Sequence, residues 1–427
     1  MTEKKQKAKR PPLIMDLEIE SLAYGGKGLA KPGGYPVFID RCLPGDRVFA
    51  KVTRKKKSWA EAKLIRILEP SAERGRARCD YVNYCGGCRW QPLAYGRQLE
   101  YKKNHVLESV RHIGRLENVP VLDVLASENV FEYRNKMEFS FSPLRWLMPE
   151  ELDNPDVKKD LGLGLHVPGT FDKVIDIRHC HLMPETGNRI LDMVRTFVKQ
   201  SGVPAYHLRS HEGFWRFVML RHSVGTNQWM VNIVTKTRDE ALVKTLADRL
   251  RQAFPGIASV MNNVTDAKSG VSVGQQEYGL AGEDHLIEHL GQFRFKISAN
   301  SFFQTNTRAC ESLYAKVEDY AGLTGSETVL DLYSGTGTIP IWLSGKARMI
   351  YGIEIVESAV RDARENADLN GIDNCEFFLG DIKAVLPGLK TKPDVLIIDP
   401  PRVGMHKDVV AQVKALGAPR IVYVSCN

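Results

Sequence analysis

The chain has 427 residues, 43% hydrophobic and 26% charged, with a net charge of +8. That length suits two or three domains. The composition is that of an ordinary globular chain, and no apolar run reaches the roughly 18–20 residues of a membrane span. The N-terminus, "MTEKKQKAKR", has no apolar signal core, so the sequence predicts a cytoplasmic protein with no membrane partner, whose clustered cysteines stay reduced.

Lys4, Lys5, Lys7, Lys9 and Arg10 form a basic tail over 1–10, and Arg54 to Lys57 ("RKKK") a second cluster. Such runs suit a polyanion such as RNA, or equally a solvated tail and an exposed hairpin. From 11 to 71, "LEIESL", "PVFID", "RVFAKVT" and "AEAKLIRIL" read as short strands separated by Gly/Pro turns, which predicts a small β-barrel. The stretch resembles a TRAM domain, an OB-like RNA-binding barrel. Tyr24, Lys27 and Trp59 are candidate RNA contacts or plain surface and core residues.

"CDYVNYCGGC" then places Cys79, Cys85 and Cys88 within ten positions. Thiols so clustered in a reducing compartment point to metal or redox chemistry, and the spacing leaves zinc and iron–sulfur both open. "YGRQLEYKKNHVLESVRHIG" predicts an amphipathic helix with Leu99, Val106, Leu107 and Val110 as its apolar stripe. The remainder to 300 reads as a central α+β domain (72–300), with strands at "MEFSFSP", "FVMLRHSV" and "WMVNIVTK" and a surface loop over 147–160.

After about 326, "TVLDLY", "MIYGIEI", "CEFFLG", "DVLIIDPP" and "RIVYVSCN" are apolar runs of strand length alternating with helix-like segments. This predicts a parallel, doubly wound α/β sheet with its ligand at the carboxyl ends of the strands. "DLYSGTGT" gives Asp331 and the glycine turn of Gly335 and Gly337; Glu354, Asp381 and Asp399 end the next three strands. A dinucleotide site competes with an S-adenosylmethionine site here, although Pro340 stands where the dinucleotide pattern wants its third glycine. "DPPR" at Asp399–Arg402 is a stiff, exposed turn of the kind that lies beside a target base, and Cys426 ends the last strand on the same edge.

The TRAM-like barrel, C-x5-C-x2-C, "SFFQTN", "DLYSGTGT", "DPPR" and "VSCN", in this order, resemble the RNA uracil-5-methyltransferase family, especially the bacterial 23S rRNA 5-methyluridine enzymes of the RlmD type. The resemblance runs from residue 11 to the end. It implies a Rossmann-like methyltransferase domain over 301–427 and a [4Fe-4S] cluster on Cys79, Cys85, Cys88 and the distant Cys180. His179 and His181 flank Cys180 as alternative ligands. S-adenosyl-L-methionine would sit among Gln304, Tyr333, Thr338, Glu354, Asp381 and Asp399, and Cys426 would be the nucleophile that adds to carbon 6 of uracil. Phe302 is expected to stack on a base or pack in the core. Arg134 and Lys136 in "YRNKMEFS" are expected RNA contacts or a solvated basic face. The substrate would be 23S rRNA, with tRNA as the alternative, and the protein a monomer. Family members continue for about one more helix and two strands carrying a glutamate base. That glutamate has no match here, so the chain is expected to be incomplete at its C-terminus. A non-catalytic iron–sulfur RNA-binding protein and a nucleotide-linked oxidoreductase are the readings from other classes.

Overall fold

The computed structural model describes residues 13–268, 270, 272, 274–389 and 392–426; the basic tail lies outside them. The chain divides into two compact units, Met1–Ala126 with His166–Gly169, and Ser127–Leu165 with Thr170–Asn427. Among the described residues no helix is long and apolar enough to cross a membrane.

The first unit carries β1 (Ile14–Glu18), β2 (Ser21–Leu22), β3 (Gly28–Ala30), β4 (Val37–Ile39), β5 (Arg47–Lys55), β6 (Ala60–Glu69) and α1 (Tyr95–Glu108). The strand order is β1-β5-β6-β4-β3-β2. Its two end strands are consecutive in sequence, joined by Ile19 and Glu20, whose amides donate to the Asp46 and Leu29 carbonyls. The alternating strands put Leu17, Val37, Ile39, Val48, Ala50, Ala60 and Ala62 inside. β3 lies within the glycine-rich stretch that reads as a connection in the sequence. Asp46 is fully buried and holds the barrel mouth: it accepts from the Leu43 and Ser71 amides and pairs with Arg74. The predicted helix forms, but it buries no residue, and Val106 is 49% exposed. Its stripe is therefore only half-covered. Residues 152–160 are largely exposed, as expected for the polar loop.

The second unit begins with β7 (Lys136–Ser142), β8 (Gly162–His166), β9 (Val174–Asp176), α2 (Glu185–Ser201), β10 (Trp215–His222), β11 (Trp229–Thr235), α3 (Glu240–Ala253), β12 (Ile257–Val264) and β13 (Gln276–Gly282). These strands form a seven-stranded sheet ordered β13-β12-β11-β10-β7-β8-β9. A hairpin of β14 (His285–Leu290) and β15 (Phe293–Ser298) leads to α4 (Thr307–Ala321).

There follow β16 (Thr328–Leu332), α5 (Thr338–Leu343), β17 (Met349–Glu354), α6 (Glu357–Leu369), β18 (Cys375–Leu379), α7 (Ile382–Val385), β19 (Val395–Ile398), α8 (Lys407–Leu416) and β20 (Arg420–Tyr423). All five strands fall where the apolar runs predict and pair in parallel, in the order β18-β17-β16-β19-β20. The chain moves outward from β16 through β17 to β18, then crosses back to β19. That reversal leaves a crevice beyond the carboxyl ends of β16 and β19, where open α/β sheets bind ligands. Val329, Ile350, Val395, Ile397 and Val422 pack one core of this sheet with α4, α5 and α6; Leu330, Leu332, Ile353, Leu396 and Ile398 pack another with α7 and α8.

Candidate functional site

The crevice is built from strand ends. After β16 the chain turns at Tyr333, which has φ 69°, and then at Gly335 (φ 54°) and Gly337 (φ 77°), before α5 begins. A tyrosine in the left-handed region is strained backbone. It is held because the Tyr333 and Ser334 amides both donate to the Ile353 carbonyl, at 3.0 and 3.1 Å. Gly337 cannot be replaced without cost. A Cβ there would lie 2.8 Å from Phe377 Cζ and 3.0 Å from Ala363 Cβ, besides the positive φ. Gly337→Ala is expected to destabilise the protein by about 2–4 kcal/mol, strain and overpacking together. Denaturant unfolding checks this; an unchanged midpoint would mean that the loop is softer than this packing.

Glu354 ends β17 and reaches back to the loop. Its Oε2 accepts from the Gly335 amide at 3.0 Å, and its Oε1 from Ile355 and Val356 at 2.8 and 2.9 Å. These bonds fix the carboxylate and leave acceptor capacity on Oε2. Asp381 follows β18, is exposed, and accepts from the Lys383 amide at 2.9 Å. Tyr333 lies close enough to Tyr423 and Asp381 for both, after burial, to raise its hydroxyl pKa. Asp399 follows β19, and burial raises its carboxyl to about 6. Thr338 opens α5, and its hydroxyl meets that of Tyr314 at 2.7 Å. Tyr333, Thr338, Glu354, Asp381 and Asp399 thus all belong to one edge of one sheet.

Gln304 enters from the loop before α4. Its carbonyl accepts from Asn135 Nδ2 at 2.8 Å, and the Thr305 carbonyl accepts from the Asn135 amide at 2.9 Å. Arg221 Nη2 donates to the Ser301 carbonyl, and Arg221 is the strand partner of Lys136. The start of β7 is thereby stitched to "SFFQTN". Arg134 Nε donates to the Lys136 carbonyl at 3.1 Å. Burial, then the charges of Arg221 and Arg134, lower the Lys136 ammonium to about 8. In the loop itself, Phe303 is the core residue, 4% exposed, while Phe302 is 68% exposed. Core packing is thus ruled out for Phe302, and its ring is free to stack.

Val424 continues β20, its amide donating to the Ile398 carbonyl at 2.8 Å, and Cys426 follows two residues later, exposed. It leaves the sheet on the edge where Asp399 and the exposed Pro401 and Arg402 leave β19. The other thiols of this sheet and of α4, Cys375 and Cys310, are both pushed up to about 12 by burial. Tyr314 and Cys310 lie near Asp399 without any motif to mark them in the sequence. Both feel the Asp399 charge, and they sit on a helix with no motif of its own.

In the first unit, Cys79, Cys85 and Cys88 share one loop. Burial raises the Cys85 thiol to about 11; the Gly87 amide donates to its sulfur at 3.3 Å, and Cys79 and Cys88 both act on it electrostatically. Among the described residues no three His, Cys, Asp or Glu groups close on a single ion. A thiolate-held cluster is tuned by burial and by hydrogen bonds to its sulfurs, both of which this loop offers. Cys180 lies in the second unit, buried, with its amide donating to Asn188 Oδ1 at 2.8 Å. In the same unit, Arg54 lies 5.2 Å over the half-buried ring of Trp59, and Tyr24 is 63% exposed. Lys27 is instead paired with Glu61 at 2.8 Å.

A doubly wound sheet with a glycine turn and acidic strand ends defines a nucleotide-type transfer domain, and a methyltransferase-domain family model matches residues 323–425. An uncharacterized RNA methyltransferase of Chlorobaculum tepidum is 43% identical over 97% of this chain and 88% of its own length. Another, from Porphyromonas gingivalis, is 39% identical over 96% of this chain and 90% of its own length. The chain belongs to this family of RNA methyltransferases. The crystal structure of Pyrococcus abyssi tRNA (uracil-54, C5)-methyltransferase in complex with S-adenosyl-L-homocysteine superposes with a TM-score of 0.74 at 26% identity, over 97% of this chain and 91% of that one.

Proposed function

We propose that the protein is an S-adenosyl-L-methionine-dependent methyltransferase that forms 5-methyluridine in RNA, with Cys426 as the nucleophile and 23S rRNA as the substrate. The observation that carries the reading is the shared edge: the exposed Cys426, the Asp399 turn and the glycine loop all leave neighbouring parallel strands in the same direction. Bound S-adenosylmethionine supplies an electrophilic methyl group. The acidic strand ends Glu354 and Asp381 suit the hydroxyls and amino group of its adenosine part, and Gln304, Tyr333, Thr338 and Asp399 complete its surroundings. The Cys426 thiolate adds to carbon 6 of a uracil turned out of its helix, which makes carbon 5 nucleophilic toward that methyl group. Loss of the carbon-5 proton to a base and elimination of the thiolate restore the ring. Phe302 stacks on the target base or its neighbour, and Arg134 and Lys136 contact the RNA backbone.

The six-stranded sheet of the first unit is read as a TRAM domain, and the cysteine loop as ligands of a [4Fe-4S] cluster that orders the RNA-binding region. Anaerobic reconstitution is then expected to load about four irons per chain, and Cys85→Ala to lose most of them, by colorimetric iron assay; zinc uptake in place of iron would overturn the assignment. The tRNA substrate of the Pyrococcus abyssi enzyme favours tRNA as the second reading. Transfer of labelled methyl groups to 23S rRNA and to tRNA, each digested to nucleosides, separates the two. Label in 5-methyluridine from neither RNA would refute the function.

A further inference from the structure

The loop between β15 and α4 runs through "SFFQT" without helix or strand, so its own backbone does not fix it. Its middle is pinned, because Phe303 is 4% exposed and shares a core with Phe295 and Tyr314. On each side of that pin a buried polar side chain from outside the loop holds it. Before the pin, Arg221 of β10 donates to the Ser301 carbonyl, while the Ser301 hydroxyl donates to Asp362 of α6. After it, Asn135 Nδ2 donates to the Gln304 carbonyl at 2.8 Å and to Thr307 Oγ1 at 2.9 Å, and the Asn135 amide to the Thr305 carbonyl at 2.9 Å. Arg221 and Asn135 are each 4% exposed. They belong to one corner of the seven-stranded sheet: Arg221 is the strand partner of Lys136, and the His222 amide donates to the Asn135 carbonyl at 2.8 Å.

Arg221 makes its contact at a cost to the fold. Its Nε is buried without an acceptor among the described residues. No carboxylate answers its charge: burial alone lowers its pKa, to about 10, so it stays protonated at neutral pH. A desolvated cation without a counter-ion destabilises the folded chain, and an apolar side chain of similar size would pack there at less cost. Departures of this kind from what a fold prefers gather at working sites. What this guanidinium holds is the residue directly before the exposed Phe302.

Resting on the reading that Phe302 stacks on RNA and Gln304 lies beside the cofactor, we propose that Arg221 and Asn135 are positioning residues for two different ligands. Arg221 sets the end of the loop that presents Phe302 to RNA, and Asn135 sets the end that presents Gln304 to S-adenosylmethionine. The buried Phe303 keeps the two ends independent, since a shift on one side would have to pass through a side chain locked in a close-packed core.

The test measures two dissociation constants on the full chain, for 23S rRNA by filter binding and for S-adenosylhomocysteine by calorimetry, with a thermal melt of each variant. Arg221→Met is expected to weaken RNA binding about ten-fold, the scale of one lost base–aromatic stack, to leave S-adenosylhomocysteine binding unchanged, and to melt no lower than the unaltered chain. Arg221→Lys, which keeps the charge and a donor, is expected to recover part of the RNA binding. Asn135→Ala is expected to do the reverse of Arg221→Met, weakening S-adenosylhomocysteine about ten-fold through lost hydrogen bonds and sparing RNA. Phe302→Ala separates the proposal from the reading beneath it. Weaker RNA binding in Phe302→Ala but not in Arg221→Met would overturn the positioning roles and leave that reading standing. Equal losses for both ligands in Arg221→Met, or a lower melt, would mark a purely structural residue and overturn the proposal too. Unchanged RNA binding in Phe302→Ala would overturn the reading and the proposal together, as would binding of neither ligand by the unaltered chain.

Discussion

Cys426→Ala is expected to abolish a denaturation-resistant adduct between the chain and RNA containing 5-fluorouridine, formed in the presence of S-adenosylmethionine under anaerobic conditions. Fluorine cannot leave carbon 5 as a proton, so a cysteine that has added to carbon 6 stays bound to the methylated base. The effect is all or none because the thiolate forms the only protein–RNA bond in the trap. The choice of Cys426 rests on chemistry as well as position. A nucleophile must be thiolate and reachable. Cys310 and Cys375 are held near 12 by burial, and Cys42 in the barrel is likewise pushed up to about 12. Cys426 is the exposed cysteine of the eight. An adduct that survives Cys426→Ala would place the nucleophile elsewhere, and no adduct from the unaltered chain would count against covalent catalysis altogether.

The parallel sheet was legible because its central strands, β16 and β19, are buried on both faces. Each of its strands is a short run of strand length, and β17, β18 and β19 close on Glu354, Gly380 and Asp399, a pattern with few other interpretations. The acids at strand ends were legible for the same reason: the place where a strand stops in such a sheet is where its ligand binds. The seven-stranded sheet was not legible in its order. β7 pairs with β10, about 80 positions further on, and β11 runs parallel to β12 although its other neighbour is antiparallel; no local signal encodes either pairing. β3 was hidden because Gly28 and its neighbours read as a turn. Gly28 is instead required by packing, since a Cβ would lie 2.9 Å from Cys42 Cβ. In "SFF", two adjacent phenylalanines face opposite ways, and only the path of the loop decides which is buried. The nearness of Tyr314 to Asp399 became visible only when α4 and β19 were brought around the glycine loop.

Asp399→Asn is expected to remove an acid limb from the pH profile of methyl transfer and to lower the rate by about 10²-fold or more at pH 8, the usual scale for losing a positioned charge in a site. Burial raises the Asp399 carboxyl from 3.8 to about 6. If the ionised form is the one the site uses, activity in the unaltered chain climbs with pH and levels off above about 6, whereas the asparagine variant shows no such inflection. The same residue has an opposite effect on stability. A carboxyl whose folded pKa is raised favours the folded chain fully below its unfolded value near 3.8, and that contribution is lost as pH rises through about 6. At pH 8 the ionised Asp399 is therefore a burden, and Asp399→Asn should melt higher than the unaltered chain, on the order of 2 °C, with the difference vanishing near pH 4. Thermal melts of ligand-free protein at the two pH values check the sign. A variant that is both less active and less stable at pH 8 would show Asp399 to be a structural acid whose loss disturbs the sheet. A variant less active but more stable would mark it as a group kept ionised at the expense of the fold, as a working site requires.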